Sequence, residues 1–413
     1  MPEVSFQNLF VVSVVALTAP LLLGYAPRLR VPSPVLEIVA GVVLGPGVLG
    51  WVDADLPVQV FAIAGLAFLL FLAGLEIDVR ALRGRPLRLS VLGYVITLAL
   101  GVAVGAALTG AGWVTSPLFV AIALSATSLG LVVPVLKDAG RADSIVGQGV
   151  IAAASVADFA AVLLLSLFFS ASDTSTGTRL VLLGAFCVLA VVVTVVVRRA
   201  GRSMRLGDVL TRLQDTTAEI RVRACVVLLL GFVALAGRFG LETILGAFIA
   251  GAVVGLVDRD ATSHPHLRTK LEAVGYGFLV PVFFVASGVR LDLQGLVSSP
   301  SALARVPVFL LALLLVRGLA AAPYLSTFGR RTTAAAALLQ ATTLPFIVTA
   351  TQIGVATGQL TPVTAAALVC AGLLSVLVFP AAALTLLRGG GDRGSRGDRN
   401  PTGSGCPSPL GQA

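Results

Sequence analysis

Apolar segments long enough to cross a lipid bilayer follow one another along almost the whole 413-residue chain. About thirteen of them are separated by charged or Gly/Pro-rich loops, and a spanning helix needs about 20 mostly apolar residues. Only 12% of the residues are charged, whereas a soluble domain has about 25%. The sequence therefore predicts an all-α polytopic membrane protein and excludes a soluble multidomain protein. The predicted spans are 7–25, 34–50, 58–78, 87–110, 116–136, 144–170, 179–199, 221–237, 241–257, 273–290, 303–327, 331–356 and 361–387.

The distribution of basic residues predicts the orientation of these spans. Most of the 29 Lys and Arg residues lie in loops that follow the odd-numbered spans. Because such loops stay in the cytoplasm, we expect the N-terminus outside, the C-terminus in the cytoplasm and a multi-pass protein of the cell membrane. The N-terminal residues MPEVSFQNLF lack a basic region, so the first span is expected to be retained. The Gly/Ser/Pro-rich residues 388–413 are expected to form a disordered cytoplasmic tail.

The two halves of the chain contain similar segments in the same order. LEIVAGVVLG from Leu36 is similar to LETILGAFIAG from Leu241, and ATSLGLVVPV from Ala126 is similar to ATTLPFIVTA from Ala341. Each segment is separated from its counterpart by an odd number of spans, so the two repeats would be inverted in the membrane. Inverted repeats are typical of secondary transporters. Chance likeness between apolar helices is the alternative.

The fifth and twelfth spans combine hydroxyl residues with proline. Proline removes a backbone donor and clashes with the preceding turn, so we expect broken helices there. Broken helices at membrane depth are tolerated around a cavity lined by protein or filled with water. Two proline-kinked packing helices are the alternative. The residues concerned are Thr127, Ser128 and the predicted break residues Gly130 and Pro134 in the fifth span, and Thr342, Thr343 and the predicted break residue Pro345 in the twelfth.

Two ionisable residues, Asp158 and Arg317, fall in the middle of predicted spans. Charges at that depth usually mark ion pathways, so Asp158 is the predicted site for an ion or a proton. Inverted repeats would bring both kinds of half-helix end together, and Arg317 is expected to compensate their charges. A purely structural Asp158–Arg317 ion pair is the alternative. Ser155 lies three residues before Asp158 on the same helix face, as an ion ligand or as packing. The other predicted supporting residues are Thr127, Ser128, Thr342 and Thr343.

Several motifs of the chain resemble those of the monovalent cation:proton antiporters, in the branch of the sodium/proton exchangers and Kef-type systems. They are PSPVLEIVAGVVLGPGVLG, GLAFLLFLAGLEIDVRALR, SVADFAAVLLLSL and LVPVFFVASGVRLDL, and the likeness covers residues 7–387. The resemblance implies the sodium/proton antiporter fold, a homodimer, an ion-binding aspartate at Asp158 and the family's basic residue at Arg317. It also implies scaffold helices in 1–86 and 221–300, core helices in 87–170 and 301–387, and a linker helix with a basic loop in 171–220.

One residue departs from the family pattern. The family usually has Asp, Asn or Gln directly before the essential aspartate, and this chain has Ala157. Because arginine keeps its proton and Ala157 cannot titrate, Asp158 alone can change protonation in the middle of the membrane. The expected function is therefore electroneutral exchange of Na⁺ or K⁺ for protons by alternating access, serving pH homeostasis. The alternatives are a gated K⁺ efflux pathway of the Kef type and a non-transporting sensor.

The chain lacks the motifs of enzymes and of nucleic-acid-binding proteins. No metal site, nucleophile–base pair or nucleotide-binding loop is found in the sequence, and its basic residues lie in short loops between apolar spans. We therefore expect a transporter rather than an enzyme, with no cofactor, no structural metal and no nucleic-acid partner.

Overall fold

The computed structural model describes residues 5–25, 31–76, 85–142, 144–169, 176–201, 219–257 and 266–388. Over these residues the protein is helical, and its one β interaction is an isolated antiparallel bridge between Val114 and Leu360. The predicted tail, apart from Arg388, lies outside the described residues. The all-α fold class predicted from the sequence is confirmed.

The described helices are named here in chain order. They are α1 Gln7–Tyr25, α2 Ser33–Leu44, α3 Leu56–Leu75, α4 Arg85–Gly110, α5 Pro117–Ser125, α6 Leu129–Asp138, α7 Ile145–Phe169, α8 Thr176–Gly201, α9 Ile220–Arg238, α10 Thr243–Val257, α11 Leu267–Val274, α12 Val280–Val289, α13 Leu293–Val297, α14 Pro300–Gly318, α15 Leu325–Phe328, α16 Arg330–Gln340, α17 Pro345–Ala356 and α18 Pro362–Arg388. A π-turn, Gly275–Leu279, joins α11 to α12, and a 3₁₀ segment, Leu319–Tyr324, joins α14 to α15.

The number of spans is only partly as predicted. In the described part of the chain, 10 helical segments are long and apolar enough to cross a membrane, and the bent pair α16 and α17 would make an eleventh. The predicted spans 34–50 and 241–257 correspond to α2 and α10, which have only 12 and 15 residues. Helix α2 ends early because its apolar run continues into Gly45 and Pro46, and helices usually end before a proline. The count of thirteen spans is therefore not confirmed.

Glycines allow the helices of one half of the bundle to pack in direct backbone contact. A Cβ added at Gly41 of α2 would lie 2.1 Å from the Val285 carbonyl oxygen of α12, and one at Gly288 would lie 2.1 Å from the Ile38 oxygen. Gly251 of α10 packs against Phe71 of α3 in the same way. Such close approach is how small residues hold membrane helices together.

Helices α5 and α7 form the buried centre of the other half. All the residues of α5 from Phe119 to Ser125 are buried, and so is the face of α7 that includes Ala154 and Ala161. Helix α4 packs along both of them. Residues 126–127 and 341–344 are also buried, so the interruptions of α5–α6 and α16–α17 lie in the interior of the protein rather than at its surface.

Candidate functional site

The first helix break lies at residues 126–128. Helix α5 ends at Ser125 and α6 begins at Leu129, with Ser128 in an extended conformation as its N-cap. The prediction that Gly130 and Pro134 form the break is wrong in position, because both lie inside α6. The chain can open earlier because the N–H groups of residues 127 and 129 find a partner outside their own helix.

The second break, at residues 341–344, crosses the first. The Ser128 N–H donates to the Thr342 carbonyl oxygen at 3.0 Å, and the Thr127 hydroxyl donates to the Gln340 carbonyl oxygen at 2.7 Å. Pro345 is the first residue of α17, and its role as a break residue stays a prediction. A proline is tolerated there because the first N–H groups of a helix have no partner within it.

Asp158, on α7, provides the partner for the open backbone of the first break. Its Oδ1 accepts the Thr127 N–H at 3.0 Å, and its Oδ2 accepts the Leu129 N–H at 3.4 Å. The carboxylate therefore lies at the N-terminus of α6, where the helix dipole and the free N–H groups favour negative charge. No ion pair between Asp158 and a basic residue is found in the described part of the chain.

Arg317 reaches the same break from the other side. It lies in the last turn of α14 and is 1% exposed. Its Nε and Nη2 both donate to the Thr127 hydroxyl oxygen, Nε also approaches the Gln340 carbonyl oxygen at 3.3 Å, and Nη1 donates to the Thr97 hydroxyl at 3.2 Å. Thr127 thus connects the two charges, because its N–H bonds the acid and its hydroxyl bonds the base. The charge-compensating role of Arg317 stays a prediction.

The remaining predicted site residues are buried around the breaks. The Ser155 hydroxyl donates to the Ile151 carbonyl oxygen of its own helix at 2.9 Å, and the Thr342 hydroxyl donates to that of Leu338 at 3.1 Å. The Thr343 backbone N–H donates to the Ser375 hydroxyl oxygen of α18 at 3.3 Å. The Thr343 hydroxyl and the Gln340 amide nitrogen have no partner in the described structure. The predicted role of Ser155, Thr342 and Thr343 in ion binding stays a prediction.

A cavity of about 550 Å³ leads to the first break. Asp158, Thr127, Ser128, Gly130 and Pro345 line it, whereas Ser155, Thr342, Thr343 and Arg317 do not. The opposite wall is formed by α1, α2, α3 and the π-turn before α12. The cavity thus brings Asp158 within reach of ions from one side of the protein.

Three acidic side chains and no basic side chain are among the described residues that line this cavity. They are Asp158, Glu37 of α2 and Glu76 after α3. At the margin, Arg268 contacts Glu76 at 3.4 Å and Glu272 at 2.7 Å. A cleft lined by one sign of charge concentrates ions of the opposite sign, here cations.

Sequence reasoning assigned no ligand role to several of these residues. The Thr97 hydroxyl and the Gln340 backbone carbonyl bind Arg317, and Glu37 lines the cavity. A polar residue within an apolar span is the sequence signal that could have singled out Glu37 and Thr97.

The arrangement is suited to binding a proton or a small hard cation. Carboxylate, hydroxyl and backbone carbonyl oxygens are the ligands that such cations prefer. A carboxylate that accepts only two backbone N–H bonds keeps lone pairs free for a third partner. Because the site faces an open cavity, that partner can come from solution.

Comparison with known proteins gives the family. Residues 13–388 match the model of the sodium/hydrogen exchanger transmembrane family. A Bacillus subtilis protein assigned as a Na⁺/H⁺ antiporter, YjbQ, is 31% identical over 86% of this chain, and the match spans 58% of that relative's length. The Na⁺/H⁺-K⁺ antiporter GerN of Bacillus cereus is 27% identical over 70% of this chain and 73% of its own length.

A solved structure has the same fold. The sodium proton antiporter MjNhaP1 of Methanocaldococcus jannaschii matches 93% of this chain and 98% of its own chain, with a TM-score of 0.63 at 18% identity. Antiporters are transporters rather than enzymes, and exchange of Na⁺ and H⁺ needs no cofactor. With a family model that covers nearly the whole described chain, the protein belongs to the sodium/hydrogen exchanger family of membrane antiporters.

Proposed function

We propose that the chain exchanges a monovalent cation, Na⁺ or K⁺, for protons by alternating access. The relatives YjbQ and GerN are named for exchange of Na⁺, and the name of GerN includes K⁺. The observation that carries the proposal is the position of Asp158: its carboxylate caps the first helix break and lines an open cavity. A proton and a cation compete for this one carboxylate, and each leaves before the other binds.

Movement of the core against the scaffold would expose Asp158 to each side in turn. The proposed core comprises the helices of residues 87–170 and 301–387, and the proposed scaffold comprises those of 1–86 and 221–300. Away from the cavity, the Gln352 amide of α17 donates to the Ser287 hydroxyl oxygen of α12 at 3.1 Å. This contact joins a core helix to a scaffold helix, so it would have to break when the other side opens.

The charge pattern indicates which side the cavity faces. Its walls include the end of α1, the beginning of α2 and the end of α3, and the sequence has basic residues directly after α1 and after α3. With the proposed orientation, N-terminus outside and C-terminus in the cytoplasm of a cell-membrane protein, the cavity opens to the cytoplasm. We also propose a homodimer formed through the scaffold, as the family resemblance implies.

Electroneutral exchange follows from the chemistry of the buried charges. Arg317 keeps its proton, Ala157 cannot titrate, and Asp158 carries either one proton or one monovalent cation. The loaded core then has the same charge in both directions. The alternative of a Kef-type K⁺ efflux pathway is not favoured, because the relatives YjbQ and GerN are named as antiporters.

Antiport in proteoliposomes tests the proposal. Wild type, D158N and the matched control D53N, in which an exposed carboxylate is replaced, are reconstituted, and internal pH is followed after addition of Na⁺ or K⁺. We expect cation-driven proton movement in wild type and D53N and none in D158N. Full exchange by a folded D158N protein would refute the role of Asp158.

A further inference from the structure

Glu37 is a buried carboxylate whose role the site at Asp158 does not explain. It is 4% exposed, and its side chain lines the cavity. No hydrogen bond or ion pair of its carboxylate is found among the described residues. A buried carboxyl group without a protein partner is costly unless a proton or a cation occupies it.

The packing of α2 against α12 fixes what lies beside Glu37. The two helices run parallel in register, because Gly41 contacts the backbone of Val285 and Gly45 contacts that of Val289. Extending this register by one helical turn puts Glu37 level with the start of α12, the region of Pro281. Both residues line the cavity, so the carboxylate stands at the cavity end of this helix crossing.

Pro281 removes one backbone N–H donor at this place. The π-turn closes with a bond from the Val280 N–H to the Gly275 carbonyl oxygen. In the next position, the N–H of residue 281 would bond the carbonyl of Tyr276 or Gly277, but proline has no N–H. Tyr276 and Gly277 both line the cavity.

A hydroxyl completes this set of oxygen atoms. Ser33 begins α2 one turn before Glu37, so it lies on the same face of the helix, and it also lines the cavity. A carboxylate, a carbonyl that lacks the N–H donor of residue 281 and a hydroxyl are hard oxygen ligands suited to Na⁺ or K⁺. None of the described lining residues is basic, so no protein cation competes for the place.

We propose that Glu37 forms a second monovalent-cation site, on the scaffold wall of the cavity, that loads the ion before it reaches Asp158. The inference rests on the proposed antiport function and adds the step before it. Glu37 belongs to α2 in the proposed scaffold, whereas Asp158 belongs to α7 in the proposed core. A site on the stationary wall raises the local cation concentration but does not cross the membrane, so it leaves the stoichiometry of exchange unchanged.

Na⁺ binding to the purified full-length protein tests the second site separately from transport. Line broadening in ²³Na NMR at alkaline pH is compared for wild type, D158N, D158N with E37Q, and D158N with E242Q. Glu242 is the matched control, because it holds the position of Glu37 in the second repeat and does not line the cavity. We expect D158N and D158N/E242Q to retain Na⁺ binding and D158N/E37Q to lose it. In the single variant E37Q, the KM for Na⁺ on the cavity side should rise about tenfold, the effect of losing one charged ligand, at unchanged maximal rate.

The outcomes separate the two proposals. An inactive D158N protein that binds no Na⁺ would overturn the second site and leave the antiport proposal standing, whereas an active D158N protein would overturn the antiport proposal. Equal Na⁺ binding by D158N and D158N/E37Q would also overturn the second site. The conservative variant E37D, which keeps the carboxylate, should restore binding and shows that loss in E37Q is not a failure to fold.

Discussion

Replacing Thr127 with valine removes the hydroxyl that joins Arg317 to the first helix break. The hydroxyl oxygen accepts two bonds from Arg317 and donates one to Gln340, so three bonds are lost while the shape of the side chain is kept. The Thr127 N–H bond to Asp158 is a backbone bond and remains. The variant therefore tests the support of the arginine without removing the ion-binding carboxylate.

The size of the effect follows from the bonds that remain. Interhelical hydrogen bonds in membranes contribute about 0.6 kcal/mol on average and up to about 1.7, whereas bonds to charged groups contribute about 1.5–3 kcal/mol. Arg317 keeps its contacts with the Gln340 carbonyl oxygen and the Thr97 hydroxyl. We expect T127V to lose about 2–4 kcal/mol of stability, and T97V, which breaks one bond of 3.2 Å, about 1–2 kcal/mol.

Thermal unfolding in detergent measures this difference. T127S keeps the hydroxyl and is the matched control, so it should melt close to wild type, with T97V below it and T127V lowest. Na⁺/H⁺ exchange by the folded fraction of T127V should persist at a reduced rate. If T127V melts with T127S, or if T97V is the less stable of the two valine variants, the hydroxyl of Thr127 does not support the arginine.

Two further predictions concern helix packing and the contact between the proposed core and scaffold. G41A places a methyl group against the Val285 carbonyl oxygen, so the variant should lose about 1–3 kcal/mol of stability in thermal unfolding. Gly184 has open space around it, so the control G184A should be neutral or gain up to about 1 kcal/mol. Equal melting temperatures of the two variants would contradict the packing. Q352L removes the bond to Ser287, so hydrogen–deuterium exchange of α17, measured by mass spectrometry, should become faster. Unchanged exchange would show that this bond does not stabilise the conformation in which the cavity at Asp158 is open.

The sequence predicted the membrane helices and the two central charges because both signals are local. Long apolar runs specify helices in lipid, and a charge within such a run is rare enough to single out Asp158 and Arg317. The C-terminal end of α2 was predicted too late because the apolar run continues beyond Gly45 and Pro46. Local composition thus identifies an element better than it places the end of the element.

The partners of the two charges could not be predicted because they depend on tertiary packing. Arg317 binds Thr127 and Thr97, and the sequence around a threonine in an apolar span does not indicate which helix packs against it. The break before α6 is placed by Asp158, which accepts N–H groups from Thr127 and Leu129, and not by the local residues Gly130 and Pro134. The register of α2 against α12, from which the surroundings of Glu37 are inferred, likewise follows from the glycine contacts of two distant helices.

The reversal of Na⁺/H⁺ exchange in vesicles at a clamped membrane potential tests the central claim most directly. If Asp158 is the one group that carries a proton in one direction and a cation in the other, net flux should stop where the Na⁺ and H⁺ concentration ratios are equal. That null point should not move when a K⁺ ionophore sets a different potential. A null point that moves with the potential and requires about two protons per cation would show that a second group titrates during transport, and would contradict the account.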